Sequence, residues 1–191
     1  MGGVDKAFIK VGGVSLIERA IARARPQVGE LMINANGRLD RFDEFGLNLI
    51  EDRVQGFLGP LAGIFSALDW LHANRPQAKW LASFASDCPF FPLEMVERLV
   101  TTAESENVSV AMAASAGRHH PVFAVWSTAI KGTSETVLNQ GGFRKMDGFI
   151  ATLPYARVEF ASEPVDPFFN INTPDDVTTA EGLMVRGAAN G

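Results

Sequence analysis

The sequence predicts an α/β fold in which helices cover both faces of a mostly parallel sheet. Helical and extended patterns alternate along the chain, and the extended segments are continuously apolar, as expected for strands buried on both faces. Helices then form the two outer layers, which gives a three-layer α/β/α arrangement. Apolar residues make up 47% of the chain, which is enough for a core of this kind.

The first elements each have a local signal. SLIERAIARAR (15–25) has apolar residues at helical spacing, and Ser15 is a suitable N-cap. ELMINAN (30–36) and LNLIED (47–52) are short apolar strands that end in polar residues, with a short helix predicted between them near 39–45. The chain therefore opens with a helix followed by two strands.

The middle of the chain continues the alternation. RVQGFLGPLAG (53–63) contains three glycines and one proline, which predicts a loop that leads into a helix over about 61–73. Its GPLAG part is either a simple helix entry or a set of backbone amides that favours an anion. KWLASFASD (79–87) is an apolar strand ending in an acid, and PLEMVERLVTTAES (92–105) is a helix with proline at its start.

The remaining elements complete the sheet. Strands are predicted at 108–114, 121–126 and 156–161, and helices at 127–139, 143–153 and 172–184. Thr173, Pro174 and Asp176 occupy the N-cap, N1 and N3 positions of a capped helix start. We interpret the 191 residues, 1–191, as a single domain.

Composition excludes several classes of protein. The net charge is −5 and no basic run is present, so the chain lacks the electrostatic footprint of a nucleic-acid-binding protein. Cys88 is the only cysteine, which excludes an intramolecular disulfide and fits a reducing compartment. No apolar run reaches the length of a membrane span, and the N-terminus lacks signal-peptide features. These observations predict a cytoplasmic protein without nucleic-acid or membrane partners.

Polar side chains follow several predicted strands, where α/β sheets bind ligands. Asp87 ends the most apolar strand and is a candidate Mg²⁺ ligand, although an acid there could equally cap a turn. Asp52 ends a neighbouring strand, with a solvated turn acid as the alternative. Asn34 and Asn36 could present donors and acceptors to a base or ribose, or could serve only as turn residues.

Five further residues are weaker candidates. Lys6 follows Gly2 and Gly3, and could neutralise a phosphate, although any loop lysine has a similar setting. Asn170 and Asn172 precede the last helix and are not explained by its cap. The pair His119-His120 is interpreted as part of a surface loop before a strand, with a phosphate or pterin contact as the less favoured alternative.

Taken together, these motifs resemble the molybdenum cofactor guanylyltransferase family. The matching segments are MGGVDK, NANGR, IEDR, GPLAG, SDCPFFP, RHHPVFAV and FFNINTPDD, in family order along nearly the whole chain. The resemblance implies a Rossmann-like sheet of the nucleotidyltransferase type. In the family a strand and a Leu-Ala-Gly-Gly loop precede the part that matches MGGVDK. We therefore expect unpaired strand edges and a gap in the core where that strand would lie.

The resemblance also implies an activity and roles for residues. The enzyme would transfer GMP from GTP to molybdopterin, releasing pyrophosphate, with Mg²⁺ held by Asp87. Lys6 would contact phosphates, Asn34 and Asp52 the guanosine side, and Asn170 and Asn172 the pterin. Partners would be proteins that deliver molybdopterin or mature molybdoenzymes. The alternatives are a cytidylyltransferase or sugar-phosphate nucleotidyltransferase of the same fold, and a non-catalytic nucleotide- or cofactor-binding product.

Overall fold

The computed structural model describes residues 6–52, 59–132 and 146–185. The strands are β1 (Lys10–Val11), β2 (Val14–Ser15), β3 (Met32–Asn34), β4 (Asn48–Ile50), β5 (Trp80–Ser83), β6 (Val110–Ser115), β7 (Arg118–Ser127) and β8 (Tyr155–Glu159). The helices are α1 (Leu16–Ala24), α2 (Pro60–Asn74), α3 (Met95–Ser105), α4 (Met146–Ile150) and α5 (Pro174–Val185). Short 3₁₀ helices lie at Lys6–Phe8, Arg25–Gln27, Leu39–Phe45 and Thr128–Ile130.

The predicted α/β class is confirmed, with one difference in strand direction. β3 and β4 pair in parallel, and β6 and β8 pair in parallel. β7 lies between β5 and β6 and is antiparallel to both, in the order β5-β7-β6-β8. The sheet is therefore mixed. β7 is antiparallel because it follows β6 through a hairpin rather than through a crossover helix.

Two helix predictions extend beyond the described residues. Of the predicted 127–139 helix, the structure shows the 3₁₀ helix Thr128–Ile130, and 133–139 lie outside the described residues. Of the predicted 143–153 helix, the structure shows α4, and 143–145 lie outside them. Residues 53–58 of the predicted loop and the Gly2-Gly3 pair also lie outside them. Within the described residues, no helix combines the length and apolar character needed to cross a membrane.

Both predicted helix caps are confirmed. The Ser15 side chain accepts from the backbone N of Glu18, while the Glu18 carboxylate accepts from the backbone N of Ser15 at 2.8 Å. Before α5, the backbone N of Asp176 donates to Thr173 Oγ1 (3.2 Å) and the backbone N of Thr173 donates to Asp176 Oδ2 (2.8 Å). Each cap satisfies amides that have no partner within the first turn of its helix.

The position expected for His119 and His120 was wrong. Both residues belong to β7 rather than to a loop before it. A two-residue turn joins β6 to β7, and both turn residues, Ala116 (φ 48°) and Gly117 (φ 74°), have positive φ. This backbone matches the twist of a tight hairpin, so strand pairing resumes at once and Ser115 pairs with Arg118.

Alternate residues of the central strands face two different cores, which establishes the three layers. Val110 and Met112 pack with Trp126, Phe149 and the apolar face of α2. Ala111 and Ala113 point to the other side and join the core that α1 and α3 cover. The helices thus seal both faces of the four-stranded sheet, as the continuous apolar pattern predicts.

A cavity of about 880 Å³ separates β3 from β5. Its walls are the two strands, and α1 and α2 contribute its other sides. Two of the lining residues, Glu30 before β3 and Arg75 between α2 and β5, form an ion pair (2.6 Å). In the described part of the chain, β3 pairs only with β4 and β5 only with β7, so the edges that face the cavity have no strand partner.

Because of this cavity, we expect the same substitution, alanine to leucine, to change the free energy of unfolding in opposite directions at two buried positions. Ala67 of α2 lines the cavity, whereas Ala124 of β7 is fully enclosed in the sheet core. Ala67→Leu should fill free space and raise the free energy of unfolding by about 0.5–2 kcal/mol. Ala124→Leu should overpack the core and lower it by about 1–3 kcal/mol. Urea denaturation measures both, and equal losses in the two variants would contradict a cavity beside Ala67.

Candidate active site

A segment near the C-terminus closes over the end of β5. The backbone N of Ile171 donates to the carbonyl of Asp87 at 2.9 Å, and the thiol of Cys88 lies 3.5 Å from the carbonyl of Phe168. We call residues 166–172 the closing segment. Asp87 lies beneath it and is partly buried, and this burial raises the pKa of its carboxyl while the nearby Lys6 ammonium opposes the rise.

The closing segment contributes two asparagines to the surroundings of Asp87. With its nitrogen facing the carboxylate, the Asn170 amide donates to Oδ2 (2.7 Å) and Oδ1 (2.8 Å) of Asp87. Asn172 accepts a hydrogen bond from Lys6 Nζ at 2.7 Å. The structure therefore brings Lys6, Asp87, Asn170 and Asn172 into one cluster, which we call the phosphate cluster because its one cation and hard oxygen atoms suit phosphate and Mg²⁺.

A second cluster lies at the ends of β3 and β4. Asp52 accepts from Asn34 Nδ2 at 2.9 Å and from Asn36 Nδ2 at 2.7 Å, and its own backbone N donates to Asn36 Oδ1 at 2.9 Å. Asn34 Nδ2 also reaches the carbonyl of Ile50 at 3.0 Å. The two asparagines thus hold the Asp52 carboxylate in a fixed orientation. We call Asn34, Asn36 and Asp52 the Asn–Asp cluster.

Gly63 is a site residue that sequence reasoning left unresolved. A Cβ at this position would lie 2.8 Å from Asn34 Cγ, so only glycine lets α2 pass beneath the Asn34 side chain. Asn34 borders the cavity between β3 and β5, and Ser86, next to Asp87, borders it too. The cavity therefore extends from Asn34 of the Asn–Asp cluster to the residue that precedes Asp87. The repeated glycines of GPLAG were the available signal, but they did not identify which glycine a neighbour requires.

The oxygen donors near Asp87 fit a hard divalent cation. The Asp87 carboxylate and the Asn170 amide face each other, and turning that amide would present its oxygen beside both carboxylate oxygens. Only a cation would stabilise three such oxygens together. Among the described residues, no three His, Cys, Asp or Glu side chains gather as a protein-only metal site. Mg²⁺ usually takes one or two carboxylates and completes its shell with substrate phosphates and water.

The surroundings of Cys88, His119 and His120 limit the reactions and contacts in which these side chains can take part. Burial first, and then the charges of Asp87 and Asp166, raise the pKa of the Cys88 thiol, so it stays protonated and is a poor nucleophile. His119 pairs with Asp147 at the surface, with 3.0 Å between Nε2 and Oδ1. His120 turns inward instead and lies 2.7 Å from the hydroxyl of Ser115.

Fold and site together define a protein of the nucleotidyltransferase class. Residues 1–153 match the family described as the MobA-like NTP transferase domain. Among solved structures, the molybdopterin-guanine dinucleotide biosynthesis protein A of Archaeoglobus fulgidus shares the fold, with a TM-score of 0.75 at 23% identity over 96% of this chain and 92% of that one. A cytidylyltransferase of Thermus thermophilus that acts on 2-C-methyl-D-erythritol 4-phosphate shares it at 0.66 and 21% identity, over 94% of each chain.

Closer relatives identify the family. The molybdenum cofactor guanylyltransferase of Rhodopseudomonas palustris strain BisB5 is 46% identical over 186 residues, which cover 97% of this chain and 89% of that protein. The guanylyltransferase of Nitrobacter hamburgensis is 43% identical over 96% of this chain and 88% of its own length. The chain belongs to the molybdenum cofactor guanylyltransferase family, as its motifs predicted.

The contact between Gly63 and Asn34 predicts a difference between two helical glycines. Gly182 of α5 has nothing within 4 Å of an added Cβ, so Gly182→Ala should stabilise the fold by about 0.5–1 kcal/mol. Gly63→Ala should instead displace Asn34 from Asp52 and lie about 1–3 kcal/mol below that control in unfolding free energy. Urea denaturation of both variants measures this, and an equal gain at the two positions would refute the contact.

Proposed function

We propose that this chain transfers GMP from GTP to the molybdopterin form of the molybdenum cofactor, releasing pyrophosphate. One observation carries the proposal: Lys6, Asp87 and the two closing-segment asparagines form the phosphate cluster, and the cavity lined by Asn34 of the Asn–Asp cluster extends to Ser86, next to Asp87. The family relationship supplies the substrates that such a site would take. We place the reaction in the cytoplasm, with all 191 residues acting as one domain.

The Asn–Asp cluster is proposed to hold the guanosine side of GTP. Its carboxylate is an acceptor with a fixed orientation, because Asn34 and Asn36 both donate to it. Guanine offers two neighbouring N–H donors, at N1 and N2, that cytosine and uracil do not present in that arrangement. An oriented acidic side chain therefore favours guanine, either by contacting the base itself or by positioning the ribose beside it.

The phosphate cluster is proposed to bind the triphosphate and Mg²⁺. Asp87, joined by the oxygen of Asn170, would hold the ion, which when bound draws phosphate oxygens together and neutralises their charge. Lys6 adds a compact positive charge at the same place, since its ammonium acts electrostatically on Asp87. Asn172 orients that ammonium through the 2.7 Å hydrogen bond.

In the proposed reaction, the terminal phosphate of molybdopterin attacks the α-phosphorus of GTP. A bond forms between a phosphate oxygen and the α-phosphorus, and the bond from that phosphorus to the bridging oxygen of the β-phosphate breaks. The protein supplies alignment and charge neutralisation, because two anions must approach each other and negative charge grows on pyrophosphate. Lys6 is suited to stabilise that charge. Proteins that deliver molybdopterin and mature molybdoenzymes are the partners we expect.

The pKa of Asp87 predicts that its replacement stabilises the fold while removing activity. Burial raises that pKa above the ordinary 3.8, so the folded state holds the Asp87 proton more tightly than the unfolded state does. The contribution of Asp87 to stability therefore falls as pH rises above 3.8 through its folded-state pKa. Asp87→Asn should unfold at higher urea concentration than wild type at neutral pH, and this advantage should shrink in acid.

The same Asp87→Asn variant should lose Mg²⁺-dependent guanylyl transfer by more than about a hundredfold. Asp147→Asn is the matched control, because Asp147 is an exposed acid that pairs with His119. The control should keep wild-type turnover in an assay of pyrophosphate release. Wild-type turnover in Asp87→Asn would exclude Asp87 from the role of metal ligand.

A nucleotide panel tests the substrate. Wild-type protein titrated in the presence of Mg²⁺ should bind GTP more tightly than CTP or UTP. Asp52→Asn should weaken GTP binding by about 10- to 100-fold, because the variant replaces a charged hydrogen-bond acceptor. Asp40→Asn removes an exposed carboxylate that pairs with Arg38 and should leave the affinity unchanged. Tighter binding of CTP would favour a cytidylyltransferase instead.

A further inference from the structure

The β6–β7 hairpin and the closing segment share a buried polar contact. Ser115 is fully buried, and its hydroxyl lies 2.8 Å from Asp166 Oδ1 and 2.7 Å from His120 Nε2. The same Asp166 oxygen accepts from the backbone N of Phe168 at 3.0 Å. Asp166, Ser115 and His120 therefore form one chain of hydrogen bonds, and none of the three side chains is used by the reaction described above.

These hydrogen bonds fix the tautomer of His120. The Ser115 hydroxyl has a single proton, and the Asp166 carboxylate can only accept it. The hydroxyl oxygen must then accept from His120, so Nε2 bears a proton and the neutral ring has its lone pair on Nδ1. Among the described residues, no group hydrogen-bonds to Nδ1. The ring itself is held by stacking on Phe168, with 4.6 Å between ring centres.

The charge state of His120 follows from its surroundings. Burial lowers the pKa of His120 below its ordinary value, and Arg118 and His119 act in the same direction. Asp166 opposes the lowering with the second-largest effect after burial, and Glu159 opposes it with the smallest. The imidazole is therefore neutral at neutral pH, and Nδ1 is a hydrogen-bond acceptor that a ligand can use.

The closing segment connects this group to the phosphate cluster. Asp166 orients His120 through Ser115, Asn170 contacts Asp87, and Asn172 contacts Lys6. Three residues separate Asp166 from Asn170, which limits the distance between their Cα atoms to about 14 Å. β5 and β6 run in the same direction, because β7 between them is antiparallel to both. Ser115, at the end of β6, and Asp87, beyond the end of β5, therefore lie on the side of the sheet where both strands end. The closing segment thus joins the residues around Asp87 to the residues that orient His120.

We propose that His120 is a specificity-determining residue for the acceptor substrate, and that its Nδ1 accepts a hydrogen bond from an N–H group of the pterin ring. The proposal rests on the proposed function, because it assigns one end of the acceptor of that reaction. Pterin rings present amino and ring N–H donors, which a neutral imidazole lone pair matches and a protonated imidazole repels. Ser115 and Asp166 act as positioning residues, since they keep the proton on Nε2.

Two substitutions at His120 distinguish the roles of its two ring nitrogens, Nδ1 and Nε2. His120→Asn places an amide oxygen near the position of Nδ1, whereas His120→Gln reaches the Ser115 hydroxyl but leaves no acceptor at Nδ1. His119→Gln is the matched control, because the adjacent side chain points to the opposite face of β7 and pairs with Asp147. The probe is 6-hydroxymethylpterin, titrated by its own fluorescence against each protein.

Wild type and His119→Gln should bind the pterin equally, and both should lose affinity as pH falls below 6.5, because His120 then gains a proton on Nδ1. His120→Gln should bind about three- to tenfold more weakly at neutral pH, as expected for one lost hydrogen bond. His120→Asn should retain most of the affinity without the acid-side loss. In steady-state transfer assays, His120→Gln should raise the KM for molybdopterin and leave kcat unchanged.

Three results would contradict these proposals. Equal and pH-independent pterin binding by wild type and both His120 variants would overturn the role of His120 while leaving the guanylyl transfer proposal intact. Absence of pterin binding to a wild-type protein that still transfers GMP to molybdopterin would overturn it too. A wild-type protein that binds GTP but transfers nothing to molybdopterin would instead refute the proposed function itself.

Discussion

One backbone hydrogen bond, from the N–H of Ile171 to the carbonyl of Asp87, organises the candidate active site. It joins the closing segment to the chain that leaves β5, although the two residues lie far apart in sequence. Ile171 is fully buried beside Val11 and Phe90, so apolar packing maintains this bond in the correct register. Shifting that register by one residue would turn both asparagines away from their partners, because alternate side chains of extended backbone face opposite ways.

This constraint explains how polar groups remain ordered at a partly buried site. An ionised carboxylate loses hydration on burial and is tolerated only where donors or a cation replace the water. At Asp87, the Asn170 amide and the nearby Lys6 charge supply that replacement, and Asn172 keeps the lysine in place. The pKa of Asp87 is nevertheless raised, so the compensation is incomplete. The Asp87 carboxylate would therefore be stabilised further by an added positive charge, as expected for the proposed binding of a metal ion at this position.

The sequence predicted most positions in this arrangement but few of the contacts. Apolar runs ending in acids placed Asp52 and Asp87 as the last residues of strands, but the structure has them two residues beyond β4 and four residues beyond β5, because apolar pattern does not mark where hydrogen-bonded pairing stops. The bond between Lys6 and Asn172 joins opposite ends of the chain, and no local pattern encodes such a partner. The Ala116-Gly117 turn was missed because alanine rarely adopts positive φ, and that error placed His120 in a loop instead of in β7.

The cavity between β3 and β5 determines how the two halves of the site are held relative to each other. The Asn–Asp cluster belongs to β3 and β4, whereas the phosphate cluster follows β5, and no described strand hydrogen-bonds to both sheets. Their separation therefore depends on side-chain packing of α1 and α2 and on the Glu30–Arg75 ion pair at the far end. Packing across an open cavity resists displacement less than a continuous hydrogen-bonded sheet does, because atoms beside a void lack contacts on one side. A nucleotide that touches both clusters would bridge this junction, so binding and the relative position of the two sheets are expected to be coupled.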